Sequence, residues 1–251
     1  MDSLDILGCR LDLVDATEAT AYILTLARQG AAAQIVTLGT EMVVLAQKDQ
    51  RFRNIVNRSA LSLCDTVGLL TVARRRGANL RERVTGVELT EQLCARAARE
   101  DLPVYFIGGM EGVAADAAAI LEVRFPGLRV AGTHDGYFNE EQSAQVVEEI
   151  RASGAKILFA GMGSPRQEVW LANHLRASGC GVGIGVGGSL DVLGGRVERA
   201  PRVFQRYGLE WLYRLAKEPH RWRRQLALPH FVWLVVLEGL GLRQRKNVVR
   251  T

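Results

Sequence analysis

The stretch Ile157-Leu-Phe-Ala-Gly161-Met-Gly-Ser164-Pro165-Arg-Gln167-Glu-Val-Trp-Leu-Ala-Asn-His174 decides the fold class. Four apolar residues end abruptly in glycine, which reads as a short strand buried on both faces. Ser164-Pro165-x-Gln167 then resembles a helix start, with proline at the first helical position and glutamine placed to close a capping box. From Pro165 to Ala177 apolar residues recur at three- and four-residue spacing, as one face of a helix requires.

The same unit repeats outward. Strand-like runs lie at Gln34–Leu38, Leu61–Cys64, Val104–Ile107, Leu128–Ala131 and Val182–Val186. Helical stretches run over Glu41–Arg58, Val87–Arg99, Val113–Arg124 and Glu140–Arg151, and Asp15-x-x-Glu18 marks a further helix start. Alternation of this kind predicts an α/β fold: an open, mostly parallel, Rossmann-like sheet flanked by helices. In such sheets ligands bind beyond the carboxyl ends of the strands. The segments to inspect are therefore Thr37-Leu-Gly39, Asp65-Thr66, Gly108-Gly109, Gly132–Gly136, Gly161–Gln167 and Gly185–Asp191.

Charge divides the chain. Residues 196–251 hold 13 Lys and Arg against 4 Asp and Glu, a net +9, whereas residues 1–195 carry −4. The basic part also has three of the four tryptophans, Trp211, Trp222 and Trp233. The division separates an α/β body over 1–195 from a basic, Trp-containing helical appendage over 196–251. Such an appendage suits phosphate, nucleic acid or an anionic membrane, or is simply a solvated basic helix. Within it, residues 226–242 are apolar but contain Pro229, His230 and Glu238, short of the ~20 apolar residues that span a bilayer. That segment fits an interfacial helix or a helix docked on the core.

Four dispersed cysteines give neither a disulfide framework nor a zinc finger, and the acidic amino terminus is no secretory signal. The histidines lack ligand spacing and Asp-x-Asp is absent, so no metal site and no cofactor are expected.

Among the strand ends, Asp65 suits a general base that deprotonates a hydroxyl nucleophile, or equally a helix cap. Gln167 suits a capping box or a polar ligand at a helix N-terminus. Thr37 fits a structural strand residue. Gly183-x-Gly185-x-x-Gly188 matches the dinucleotide fingerprint, but at the wrong strand for a nicotinamide fold. Its amides could instead receive another nucleotide's phosphates or sugar. A departing diphosphate would need cations. Arg214 and Arg221 are seven apart and Arg221 and Arg224 three apart, spacings that on continuous helices keep each pair on one face, while Pro219, between Arg214 and Arg221, predicts two helices with a bend.

Taken together, Thr37, Asp65, Arg83-Val-x-Gly86, Phe106-Ile-Gly-Gly, Gly136-Tyr-Phe, Gly161-Met-Gly-Ser-Pro-Arg-Gln-Glu168, Gly185-Val-Gly-Gly-x-x-Asp191, Arg199-Ala-Pro201 and Gly208-Leu-Glu-Trp-Leu-Tyr-Arg-Leu-x-x-Glu-Pro219 resemble the WecG/TagA/CpsF glycosyltransferases over residues 5 to 240. The resemblance implies inverting transfer of N-acetylmannosamine or a related hexose. The donor would be a UDP-sugar and the acceptor a polyprenyl-diphosphate-linked sugar, in bacterial surface-polysaccharide synthesis at the inner face of the cell membrane. It implies Asp65 as the base, Thr37, Arg83 and Gln167 around the sugar, and Gly185, Gly187, Gly188 and Asp191 beside the UDP. Arg214, Arg221 and Arg224 would close over the diphosphate, so that residues 1–195 would be the catalytic core and the appendage over 196–251 would complete the site and contact the membrane. No nucleic-acid partner is implied, and a homo-oligomer is left open. Two positions depart from the family pattern: Gly39 stands where asparagine is usual and Thr66 where glycine is usual, which widens the donor to glucosyl and other hexosyl groups. The competing readings are a non-catalytic membrane or nucleic-acid adaptor and an NAD(P)-binding oxidoreductase.

Overall fold

The computed structural model describes residues 1–201, 204, 210–217 and 226–240. A six-stranded parallel sheet runs in the order β4-β3-β8-β7-β5-β6. Its strands are β3 (Ala33–Leu38), β4 (Leu61–Cys64), β5 (Val104–Gly108), β6 (Val130–His134), β7 (Ile157–Gly161) and β8 (Val182–Gly185). The α/β reading of the sequence is what the chain adopts.

Alternation along the strands builds two cores. Ile35, Leu61, Leu63, Phe106, Phe159 and Ile184 face one side, packed under α1 (Ala16–Gln29), α5 (Gly86–Glu100), α6 (Val113–Arg124) and α9 (Ser189–Leu193). On the other side Val36, Leu38 and Cys64 pack under α2 (Thr40–Lys48), α3 (Gln50–Arg58) and α4 (Val67–Arg75). Farther along that side lie α7 (Glu140–Ser153) and α8 (Arg166–His174). Covering both faces is what a parallel sheet requires. The exits of β3 and β8, which are neighbours, lead to opposite faces, and a crevice opens between such strand ends.

Several boundaries differ from the sequence reading. The helix expected over Glu41–Arg58 is two helices, because Asp49 ends α2 and caps α3, its Oδ1 accepting from Phe52 N at 2.9 Å. β6 begins two residues later than expected and runs on through Gly132. A Cβ there would stand 2.5 Å from the Tyr105 ring, so glycine lets this edge strand close on β5. The capping box at Asp15 and Glu18 forms. The one expected at Ser164 does not: α8 starts at Arg166 and has no side-chain cap. An antiparallel hairpin, β1 (Ser3–Ile6) and β2 (Cys9–Asp12), precedes the sheet, turning at Leu7 and Gly8, both at positive φ.

In the appendage, α10 (Glu210–Lys217) and α11 (Ala227–Gly239) are described. Phe231 and Leu234 of α11 enter the core beneath α2 and α4, and Glu238 forms a buried ion pair with Arg76. Gly68 lets α4 lie close on α2, since a Cβ there would stand 2.8 Å from Thr40 Cγ2, and the Phe231 ring lies beside that position at an ordinary 3.7 Å. The outward face of α11 exposes Val232, Trp233 and Val236, and Leu240 just beyond its end is exposed as well. The helix is thus docked by one face and apolar on the other. Among the described residues no helix is long and apolar enough to cross a membrane.

Candidate active site

The strand ends are joined by side chains bonded to neighbouring backbone. Thr37, near the end of β3, donates its hydroxyl to Gly185 O at 2.7 Å and so ties β3 to the exit of β8. Gln167, 2% exposed, uses its Oε1 to accept from Gly163 N at 3.2 Å and Gly187 N at 3.0 Å. It therefore braces the turn after β7 against the turn after β8. This is the reason no capping box forms with Ser164: the amide is turned into the loops. Gly185 leaves room for it, since a Cβ at that position would lie 2.7 Å from Gln167 Nε2. Gly183 likewise admits Leu171 of α8 and Leu175 just beyond it, so packing accounts for two of the three fingerprint glycines.

Asp65 follows β4 and is half-buried. Its backbone N–H donates to Leu38 O at 3.1 Å, and its Oδ1 accepts from Gly86 N at 3.1 Å. Gly86 is the first residue of α5, which Thr85 caps, and the helix that directly follows Asp65, α4, has Thr66 rather than Asp65 at its N-cap position. Val84 N donates to Cys64 O at 2.8 Å, so the segment leading into α5 lies alongside the end of β4. A Cβ on Gly86 would meet Ser189 Oγ at 2.6 Å and Val186 O at 3.1 Å, which brings this segment against the exit of β8. Gly188 and Asp191 lie there, at the start of α9. A Cβ on Gly188 would be 3.6 Å from Asp191 Oδ2. Thr37, Asp65, Gln167, Gly185, Gly187, Gly188 and Asp191 thus gather along the ends of β3, β4 and β8. Arg83, at the outer side of the same segment, is ion-paired with Glu210. Only the backbone of Arg214 is described, in α10, and Arg221 and Arg224 lie outside the described residues.

The two departures from the family pattern meet in space. A Cβ on Gly39 would touch Thr66 Cγ2 at 3.6 Å, an ordinary contact. The threonine methyl thus faces the space that a side chain at position 39 would enter. The Thr66 hydroxyl is enclosed, with no hydrogen-bond partner among the described residues.

Glu168 was not singled out as a site residue, although it follows Gln167 directly. It is fully buried, and its Oε1 accepts from Gln167 Nε2 at 2.6 Å, which fixes the orientation of that amide. Burial pushes its carboxyl above the ordinary value, against the Gln167 amide and the Ser164 hydroxyl, which pull it down. A raised carboxyl pKa contributes stability that is complete below the unfolded value and lost as pH rises through the folded one. Glu168→Gln, which accepts the same bond without a charge, should therefore gain in melting temperature on the wild type as pH rises above the ordinary carboxylate range. Thermal unfolding of both proteins as a function of pH tests this, and a gap independent of pH would show that Glu168 does not titrate there.

Cys64, beside Asp65, is no competing nucleophile. Burial and then the Asp65 charge push its thiol up to about 12. What the rim offers is a carboxylate held in place, a backbone-rich turn and an arginine. Such a set can deprotonate a hydroxyl and bind a phosphorylated sugar.

Comparison with known proteins agrees with this chemistry. The chain is 33% identical over 231 residues to the N-acetylglucosaminyldiphosphoundecaprenol N-acetyl-beta-D-mannosaminyltransferase of Bacillus spizizenii strain W23, covering 90% of this chain and 89% of that protein. The profile described as "Glycosyl transferase WecG/TagA/CpsF family" matches residues 4–245, and with a parallel sheet whose strand ends carry the motif residues, the chain belongs to that family of glycosyltransferases.

Proposed function

We propose that this glycosyltransferase moves a hexose, N-acetylmannosamine or a close relative, from a UDP-sugar to a sugar carried on a polyprenyl diphosphate. The observation that carries the reading is Asp65, held by the Gly86 N–H at the rim where β3, β4 and β8 end. The relative's name describes transfer of N-acetylmannosamine to a diphosphate-linked lipid sugar, and the family match extends that class of reaction to this chain.

In the proposed step Asp65 takes the proton from the acceptor hydroxyl. That oxygen attacks the anomeric carbon from the face opposite the UDP, the bond from carbon to the UDP oxygen breaks, and the configuration inverts. UDP departs with an added negative charge, for which Arg214, Arg221 and Arg224 of the appendage are the proposed stabilisers. Gly185, Gly187, Gly188 and Asp191 would adjoin the nucleotide. Thr37 and Gln167 would shape the sugar pocket by fixing its backbone, with Arg83 at its edge. The exposed apolar face of α11, in a basic appendage, supports a seat on the inner surface of the membrane where a lipid-linked acceptor lies. A panel of UDP-sugars offered to a synthetic N-acetylglucosamine-diphosphate-lipid, with UDP release followed, tests the reading. Turnover with none of them would overturn it.

Donor choice should respond to the Gly39 and Thr66 pair. Gly39 has φ −108°, open to any residue, so asparagine is accommodated once Thr66 no longer fills the adjoining space. The double variant Gly39→Asn/Thr66→Gly is expected to raise the preference for UDP-N-acetylmannosamine over UDP-glucose by about tenfold in kcat/KM, the worth of one good hydrogen bond. An unchanged ratio would remove these positions from donor selection.

A further inference from the structure

The appendage reaches the rim of the site through a carboxylate. Glu210, the first residue of α10, accepts from Arg83 Nη1 at 2.7 Å, and the two side chains are only 21% and 17% exposed. Arg83 adjoins Val84, which is bonded to Cys64 O, and lies three residues before Gly86, which holds the Asp65 carboxylate. The segment that grips the candidate base therefore also grips the appendage.

Two further ties run beside this one. Arg199 Nη2 lies 2.7 Å from Glu88 Oε1, and the other Glu88 oxygen accepts the Thr85 hydroxyl at 2.9 Å. Burial alone would push the Glu88 carboxyl up, but its bonds to Arg199 and Thr85 outweigh this and hold it below the ordinary value. At the other end of α10, Glu198 Oε2 accepts from the Tyr213 hydroxyl at 3.3 Å and stands 3.5 Å from Lys217 Nζ. The Glu198–Lys217 contact is open to solvent and screened, so it contributes little. Arg83–Glu210 is the better shielded pair between α10 and the core, and the one whose loss leaves a partly desolvated charge behind.

We propose that Glu210 is a positioning residue for the transfer: its ion pair with Arg83 fixes α10 against the segment that carries the hydrogen-bond donor to Asp65. The inference rests on the transferase reading above and adds a role for a residue that touches none of the reacting atoms. Pinning the start of α10 sets where the helix, with Arg214 in its sequence, sits relative to the strand ends. The Arg83–Glu210 pair then makes the appendage part of the site before any substrate arrives, and the effect should appear in kcat rather than in donor affinity.

The test has two arms on the full-length protein. In hydrogen exchange without ligand, Glu210→Gln and Arg83→Gln should each speed exchange over residues 210–217 by about tenfold, and the double variant by no more than either alone. In turnover, Glu210→Gln should lower kcat by about tenfold while its UDP dissociation constant stays within about twofold of wild type, with Glu210→Asp between the two. Exchange effects that are absent or additive would overturn the docking role. A loosened α10 with unaltered kcat would overturn the positioning role. A wild-type protein that releases no UDP from any donor would instead sink the transferase reading itself, a different result from a wild type that turns over no faster than Glu210→Gln.

Discussion

Asp65→Asn is expected to lower turnover by about 10²- to 10⁴-fold, the usual worth of a general base, with the fold and the affinity for UDP retained. The expectation follows from how the side chain is held. Asp65 Oδ1 accepts from the Gly86 N–H, and an asparagine presents a carbonyl oxygen at the same place, so the anchor survives. What is lost is basicity, because an amide does not accept a proton near neutral pH. Thr85 caps α5 by accepting from Glu88 N, so the helix start does not rest on Asp65 alone. Asp65→Ala, by contrast, also strands the Gly86 N–H and should cost about 1 kcal/mol of stability besides. Comparing UDP release with calorimetric UDP binding and thermal unfolding in both variants separates chemistry from support. If Asp65→Asn keeps most of the wild-type rate, the base lies elsewhere. The nearby groups are poor substitutes: Cys64 is a buried neutral thiol, and Glu88 is engaged with Arg199 and Thr85.

What the sequence discloses about this site depends on the kind of interaction involved. Strands buried on both faces are short, mostly apolar runs, so β3, β4, β5, β7 and β8 are visible without a structure, and the ligand edge follows from them. The amino-terminal hairpin is invisible because Ser3–Ile6 and Cys9–Asp12 mix charges with apolar residues over only four positions each. α4 is hidden for another reason: Val67-Gly-Leu-Leu-Thr-Val looks strand-like, and its glycine serves a tertiary contact, the close approach of Thr40 in α2. The same limit applies to chemistry. Asp65 stands out because it ends an apolar run, whereas its hold on Gly86 and the grip of Arg83 on Glu210 join segments whose pairing no local pattern encodes. For Gln167, local pattern suggests a cap and tertiary contacts win, because two loop N–H groups from different strand ends compete for its oxygen.

Phe231→Ala is expected to destabilise the protein by about 3–5 kcal/mol, which for a chain of this size lowers the melting temperature by about 10 °C. Phe231 is 2% exposed and packs in one cluster with Val36, Leu38, Met42, Leu69 and Val72, between α2 and α4. Removing the ring leaves a cavity that α4 cannot close, because α4 already lies against Thr40 at Gly68. The outward neighbour Trp233, 60% exposed, provides the control: Trp233→Ala should change stability by no more than about 0.5 kcal/mol. On the membrane seat proposed above, it should weaken flotation with anionic vesicles. The two variants thus separate the faces of a single helix, one serving the core and the other the surface it would rest on. The same contacts bear on deletion of residues 196–251. That deletion removes Phe231, Leu234 and the Glu238 partner of Arg76 together, so low activity in the remainder would report a weakened core beneath α2 and α4 as well as missing arginines. Point variants at Arg214, Arg221 and Arg224 in the full chain isolate the cationic contribution. If Phe231→Ala melts with the wild type, α11 is not docked in solution, and the deletion becomes the cleaner experiment.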